Sequence, residues 1–398
     1  MARVGTATLL SAVCGYAVLY LAARDLDPAG FAMFGVFWGA FGLVTGAANG
    51  LLQETTREVR TATGMARAAA GPHTRPLQVA GYAGLSAAAL VAVTSPLWSA
   101  HVFVAHQWLS VGLLCAGLAG FALHTTLLGA LAGTNRWTSY GALMVTDALT
   151  RVVVAATAFA VGWGLAGYLW ATVAGSTAWL ALLACSPGAR AASRVLTPMS
   201  RTAFLRGAAH STTAAGASAI LVMGFPVLLQ ATYGELGAEG GVVILAVTLT
   251  RAPLLVPMTA MQGNLIAHFV DQRDRRLAAL TRPAMWLLAA GALGSVAAGL
   301  CGPWLMRTVF GGGYNAEGTL LAGLTLAATA IALLTLTGAA TVARALHRGY
   351  ALGWVSATVA AALLLLVPLD LPDRTVVALL CGPLVGIVVH LAALRGQS

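Results

Sequence analysis

Twelve times along this chain of 398 residues, roughly twenty apolar residues run on with almost no charge among them. Twenty residues at about 1.5 Å of rise match the roughly 30 Å hydrocarbon core of a bilayer, so each run predicts a membrane-spanning helix. The runs lie near residues 5 to 23, 29 to 52, 78 to 98, 104 to 132, 138 to 161 and 165 to 185. A second set lies near 207 to 230, 241 to 268, 283 to 306, 318 to 343, 350 to 369 and 375 to 394. The fourth and tenth run long, which predicts tilt or helix extending past the membrane. Only 9% of the residues are charged and 59% are hydrophobic, whereas a soluble domain carries about 25% charged residues. The first run lacks a small-residue cleavage site before a polar region and reads as a retained span, not a removed signal.

The formal net charge is +10, and all 22 basic residues are arginine. Without lysine there is no phosphate-gripping Walker lysine, no Schiff base and no lysine general base, so ATP-driven work by this chain alone is not expected. Sorted by loop, with the amino terminus placed in the cytoplasm, 17 arginines fall on the inner side and only Arg24, Arg307 and Arg374 on the outer. That bias predicts a multi-pass protein of the cytoplasmic membrane with both termini inside. It also assigns the positive charge to one membrane side and not to a nucleic-acid partner. Trp98, Trp137, Trp163 and Trp304 stand at predicted span ends, where aromatic belts form. Cys14, Cys115, Cys185, Cys301 and Cys381 are scattered singly, with no CxxC pair or histidine at metal spacing, so neither a metal nor another cofactor is expected.

The two halves echo each other at an offset of about 211 residues. Pro28-Ala29-Gly30-Phe31 opens the second span as Glu239-Gly240-Gly241-Val242 opens the eighth. The exit of the fourth span through Asn135 and Arg136 matches that of the tenth through His347 and Arg348. The expectation is an all-α membrane protein: a six-helix lobe over 1–190, a basic cytoplasmic linker over 191–206, and a second six-helix lobe over 207–398. Parallel repeats of this kind are a mark of transporters.

Ionisable groups at membrane depth cost roughly 2.5 to 3.5 kcal/mol on insertion scales, so each needs a reason. Arg251 lies about ten residues into the eighth span, with no acid in the same apolar run. A guanidinium facing a cavity would grip a phosphate or carboxylate bidentately; an acid on another helix, or snorkelling, would serve it equally well. Asp147 and Arg151 are four residues apart on one helical face. They form either a self-neutralised structural pair or a pair that an anionic substrate or a proton breaks during a cycle. His124 and His210 are candidates for proton coupling, or are histidines hydrogen-bonded within the bundle. Asn49, and Gln262 with Asn264, occupy comparable places in the two repeats, either lining a cavity or bonding between helices. Pro226, Pro253 and Pro257 free backbone groups and permit bends, and so mark a candidate gate beside Arg251.

Several short segments together resemble a known family. They are Leu26-Asp27-Pro28-Ala29-Gly30-Phe31 with the span ending Gln53-Glu54, Asp147 to Arg151, Gly241 to Pro257, and Gly302-Pro303-Trp304 followed by Phe310-Gly311-Gly312-Gly313-Tyr314. On these the chain resembles the polysaccharide (O-antigen type) flippases, in the superfamily that also holds the multidrug and toxin extrusion (MATE) carriers and the lipid II flippases. The resemblance implies a V-shaped, MATE-like bundle of two six-helix lobes. It also implies a transporter, not an enzyme, moving a polyprenyl-diphosphate-linked glycan from the inner to the outer leaflet by alternating access. Membrane lipids and glycan-assembly enzymes would be its partners, and Arg251 and Arg151 would meet the diphosphate. Twelve spans depart from the fourteen typical of lipid II flippases. Two other readings stay open: an ion-coupled multidrug antiporter of the same fold using Asp147, and a polytopic glycosyltransferase using Asp25 and Asp27 of the first outer loop.

Overall fold

The computed structural model describes residues 2–64, 74–271, 278–344 and 346–396, and they are nearly all helical. The first six apolar runs become α1 (Ala2–Asp25), α2 (Pro28–Gly64), α3 (Pro76–Val102), α4 (Gln107–Gly133), α5 (Trp137–Val161) and a broken sixth span. That span passes from α6 (Gly164–Ala174) through a 3-10 turn (Gly175–Thr177) into α7 (Ala178–Cys185), and the short α8 (Pro187–Ser193) follows. The other runs become the bent pair α9 (Arg201–Val222) and α10 (Phe225–Tyr233), then α11 (Gly237–Asp271), α12 (Ala278–Phe310), α13 (Gly318–Ala343), α14 (His347–Leu364) and α15 (Leu371–Arg395).

Among the described residues, ten helices are long and apolar enough to cross a membrane, and the α9–α10 pair makes an eleventh if taken as one span. The eleventh predicted run falls short of that standard: α14 has 18 residues and opens on His347 and Arg348, which leaves too short an apolar stretch. The longest helices are also not the fourth and tenth spans, at 27 and 26 residues. They are α2, α11 and α12, at 37, 35 and 33. In α2 Gln53, Glu54, Arg57, Glu58 and Arg60, all good helix formers, help carry the helix on after the apolar run ends. At 1.5 Å per residue α2 is about 55 Å long, well beyond the hydrocarbon core.

Helix ends follow local chemistry. Asp27 accepts the Gly30 N–H at 2.8 Å while Pro28 takes the first helical position, which starts α2. Asn135, with φ 57°, closes α4 as Arg136 N–H bonds the Leu131 carbonyl at 2.8 Å. Gly162, with φ 65°, closes α5 in the same way, Trp163 N–H reaching Ala158 at 2.9 Å.

The contacts divide the chain into two compact units. The first comprises Met1–Leu26 and Val36–Ala219. In it α1 packs on α5 and α3 on α4, and α2 meets α9 at backbone distance. A Cβ on Gly50 would stand 2.2 Å from the Thr212 nitrogen, and one on Gly46 2.6 Å from Ala219 Cβ; such close approach is how small residues join membrane helices. Thr74 and Thr197 exchange two 2.9 Å backbone hydrogen bonds, tying the approach to α3 to the segment between α8 and α9.

The second unit comprises Asp27–Gly35 and Ile220–Ser398, built around α13, which packs on α11, α12 and α15. Here Phe31 stands edge-on to Tyr314 at 5.9 Å, and the Pro28 carbonyl fills the place a side chain on Gly241 would take. Burial, with Asp27 close by, pushes the Tyr314 hydroxyl well above the ordinary tyrosine range. In α15, His390 is fully buried between Thr337 Oγ1, at 3.0 Å, and the Tyr350 carbonyl, at 3.2 Å.

Candidate functional site

In the first unit, α5 sets Asp147 and Arg151 one turn apart, and the two pair. Arg151 Nε and Nη2 each lie 3.0 Å from Asp147 Oδ1. Its Nη1 donates to the Thr172 carbonyl at 2.7 Å, three residues before the 3-10 turn, and its Cζ stands 5.3 Å above the Phe41 ring. Gly175 makes the fit possible, because a Cβ there would fall 1.8 Å from Asp147 Oδ1. From Phe41 the rings continue: Phe121 lies edge-on at 6.2 Å, and His124 stacks on Phe121 at 5.0 Å. His124 is 2% exposed, and among the described residues its Nδ1 is a buried nitrogen with no hydrogen-bond partner. One aromatic file thus connects Asp147, Arg151 and His124.

In the second unit Arg251 sits in α11 at 8% exposure. Its Nη1 donates to the carbonyl of Val222, the last residue of α9, at 2.8 Å, and its Cζ lies 5.6 Å over the Phe225 ring. Between those two contacts the seventh span turns by 62°, with Pro226 in the first turn of α10. Each unit therefore repeats one construction: a membrane-depth arginine donates to a main-chain carbonyl beside a break in a span and lies on a phenylalanine face. The carbonyl supplies the acceptor that an interrupted helix leaves over, and the ring face supplies cation–π attraction in place of water.

The other sequence candidates are placed differently. Asn49 on α2 and His210 on α9 are exposed. Pro253 and Pro257 lie inside α11, which runs through both without interruption, so of the three prolines Pro226 marks the bend. The backbone of Gln262 and Asn264 is part of α11, and their side chains lie outside the described residues.

One group escaped the sequence reading. On the extension of α2, Glu54 and Glu58 are 3% and 5% exposed and share Arg57, at 2.7 and 3.1 Å. Glu54 is covered by Gly207 of α9, where a Cβ would fall 1.9 Å from its Oε1. The i,i+4 spacing of the two acids was visible; the glycine that covers one of them stands about 150 residues away.

No family model matches the chain. It is 68% identical to the uncharacterized protein Mb3654 of Mycobacterium bovis and 67% identical to the uncharacterized protein Rv3630 of Mycobacterium tuberculosis, covering 99% of this chain and 91% of each relative. The fold is similar to an inward-facing multidrug resistance MATE family transporter of the MOP superfamily (TM-score 0.67, 17% identity, 99% of this chain and 96% of that one). It is also similar to an outward-facing one (TM-score 0.64, 16% identity, 100% and 94%). A third likeness is to a MOP superfamily transporter from Pyrococcus furiosus for which a reverse polarity of the binding pocket suggests a different function (TM-score 0.63, 14% identity, 100% and 94%). The fold is MATE-like and the protein a multi-pass membrane protein, and by sequence the chain belongs to the family that includes Mb3654 and Rv3630.

Proposed function

We propose that the chain is a transporter that carries a polyprenyl-diphosphate-linked saccharide from the inner to the outer leaflet by alternating access. The observation that carries this reading is Arg251, a guanidinium buried at membrane depth on the bend of a span. A diphosphate crossing a low-dielectric region needs charge compensation, and a guanidinium supplies it with two parallel hydrogen bonds. The bend supplies the motion: straightening the seventh span draws the Val222 carbonyl away from Nη1, and a phosphate oxygen takes its place. Likeness to transporters seen both inward-facing and outward-facing supports the alternating cycle.

Arg151 serves the same cargo in the first unit, with Asp147 holding it until the anion competes and His124 as the group that couples the exchange to protons. In liposomes holding a fluorescent polyprenyl-diphosphate oligosaccharide, Arg251→Ala is expected to slow translocation at least roughly tenfold, since it removes both charge-assisted hydrogen bonds and each alone is worth about that factor. Arg251→Lys should fall between, with membrane insertion unchanged in both. Full activity in Arg251→Ala overturns the site. The fold's multidrug members keep a second reading in view: drug export that is lost in Asp147→Asn, with no lipid translocation, would replace the flippase by an antiporter.

A further inference from the structure

At the end of the first unit where α4 passes into α5, positive charge is in excess. The two acids there, Glu54 and Glu58, are both buried and both taken by Arg57. The unit's other acids are Asp25, the last residue of α1, and Asp147, which Arg151 holds. Arg136, Arg190, Arg194, Arg201 and Arg206 therefore meet no carboxylate among the described residues. Arg190 turns onto main chain, its Nη1 donating to the Leu183 and Ala184 carbonyls at 3.1 and 2.7 Å. Arg136 does not.

Around Arg136 three donors converge. The left-handed turn at Asn135 leads the chain out of α4 and sets Arg136 at the threshold of α5, with Ser139 three residues on and on the same face. Ser186 closes α7 and caps α8: its Oγ accepts the Ala189 N–H at 3.2 Å, which leaves its own O–H to donate. Gly188 lets the two turns meet. From the point where a Cβ on Gly188 would stand, Arg136 Nη1 is 2.7 Å away, Ser139 Oγ 3.5 Å and Ser186 Oγ 3.6 Å. Among the described residues neither the Arg136 guanidinium nor the Ser139 hydroxyl has a hydrogen-bond acceptor. A guanidinium and two hydroxyls gathered round one spot are the complement of a phosphate group's oxygens.

The spans themselves put this spot at the membrane boundary. The fifth span starts at Trp137 and the sixth ends at Cys185, the chain neighbours of Arg136 and Ser186. Trp137, 37% exposed and edge-on to Tyr140 at 5.8 Å, has the place of a belt residue at the headgroup level. A zwitterionic headgroup would add a cation of its own to the excess already there; an anionic one adds none. We propose that Arg136, Ser139 and Ser186 bind the phosphate of an anionic phospholipid, in the field of Arg190 and Arg194. The site does not depend on the cargo, and serves a flippase and an antiporter alike. A phosphate held there joins the start of the fifth span, which carries Asp147 and Arg151, to the end of the broken sixth.

The test uses the full chain in non-ionic detergent, with bound lipid counted by native mass spectrometry as phosphatidylglycerol or phosphatidylcholine is added. Phosphatidylglycerol is expected to bind about fivefold more tightly and to raise the thermal midpoint as it saturates. Arg136→Gln should weaken it about fivefold and Ser139→Ala roughly threefold, whereas Arg307→Gln, in the second unit, should leave it unchanged. The Ser139 hydroxyl makes no bond within the described fold, so its variant keeps the test alive if Arg136→Gln fails to fold. Equal binding of the two lipids overturns the proposal. So do equal losses in Arg136→Gln and Arg201→Gln, which would mean a diffuse basic surface without a cradle. Displacement of phosphatidylglycerol by inorganic phosphate at like concentration would make the ligand a free anion and overturn it too. Preferential displacement by a polyprenyl diphosphate would assign the cradle to the cargo, and the phospholipid proposal would fall while the flippase reading stood.

Discussion

An arginine carried into hydrocarbon must bring its solvation with it, and Arg151 and Arg251 do so with the same two neighbours, a carbonyl beside a helix break and the face of a phenylalanine. For Arg151 the pairing with Asp147 is added, both side chains being less than one-fifth exposed. Removing one member of a buried pair strands the other, so Asp147→Ala is expected to lower stability by about 3 kcal/mol. Asp147→Asn keeps an oxygen for Nε and Nη2 and should lower it by about 1 kcal/mol. Denaturant titration in detergent micelles distinguishes the two. The i,i+4 spacing made this pair legible in the sequence. The carbonyl and the ring were not, because Thr172 and Phe41 lie 21 residues after and 110 before Arg151. A side chain's position in a span is a local fact; what solvates it is decided by packing.

Among the elements, the apolar runs were legible because bilayer thickness sets their length, whereas the helices that overrun them, α2, α11 and α12, were not, and the eleventh run proved too short to count as a span. Where the spans break was legible only in part. Gly224 and Pro226 announce the 62° bend of the seventh span, whereas Gly175-Ser176-Thr177 sits in a run as apolar as its neighbours and gives little notice of a 3-10 turn. Three of the segments that carried the family resemblance pack together: Pro28, Phe31, Gly241 and Tyr314 meet in the second unit. Gly241 is the tightest point, with the Pro28 carbonyl where a methyl group would go. Gly241→Ala is expected to cost about 1 to 3 kcal/mol by forcing the two helix starts apart, seen as a lower thermal midpoint, while Gly5→Ala, at a site with open space inside α1, should not lower it.

At the scale of the whole molecule, the arginine bias makes a claim about topology that fusions can check. A fluorescent protein fused after Arg136 should glow, because that connection is expected inside. A phosphatase that matures only outside should be active when fused after Trp163 and silent after Arg136. The opposite pattern would exchange the membrane sides assigned to every connection.

The chain does not assign its residues to the two units in order: Asp27–Gly35 belongs with the second unit, although residues of the first lie on both sides of it in sequence. That has a consequence for biogenesis. During synthesis Phe31 is made about 280 residues before Tyr314, a wait of roughly 15 to 55 s at ribosomal speed. Lipid must cover that surface in the meantime. The second unit cannot close around its own first helical turns until α12 and the Tyr314 that follows it have been made, which ties its maturation to residues made after every span of the first unit.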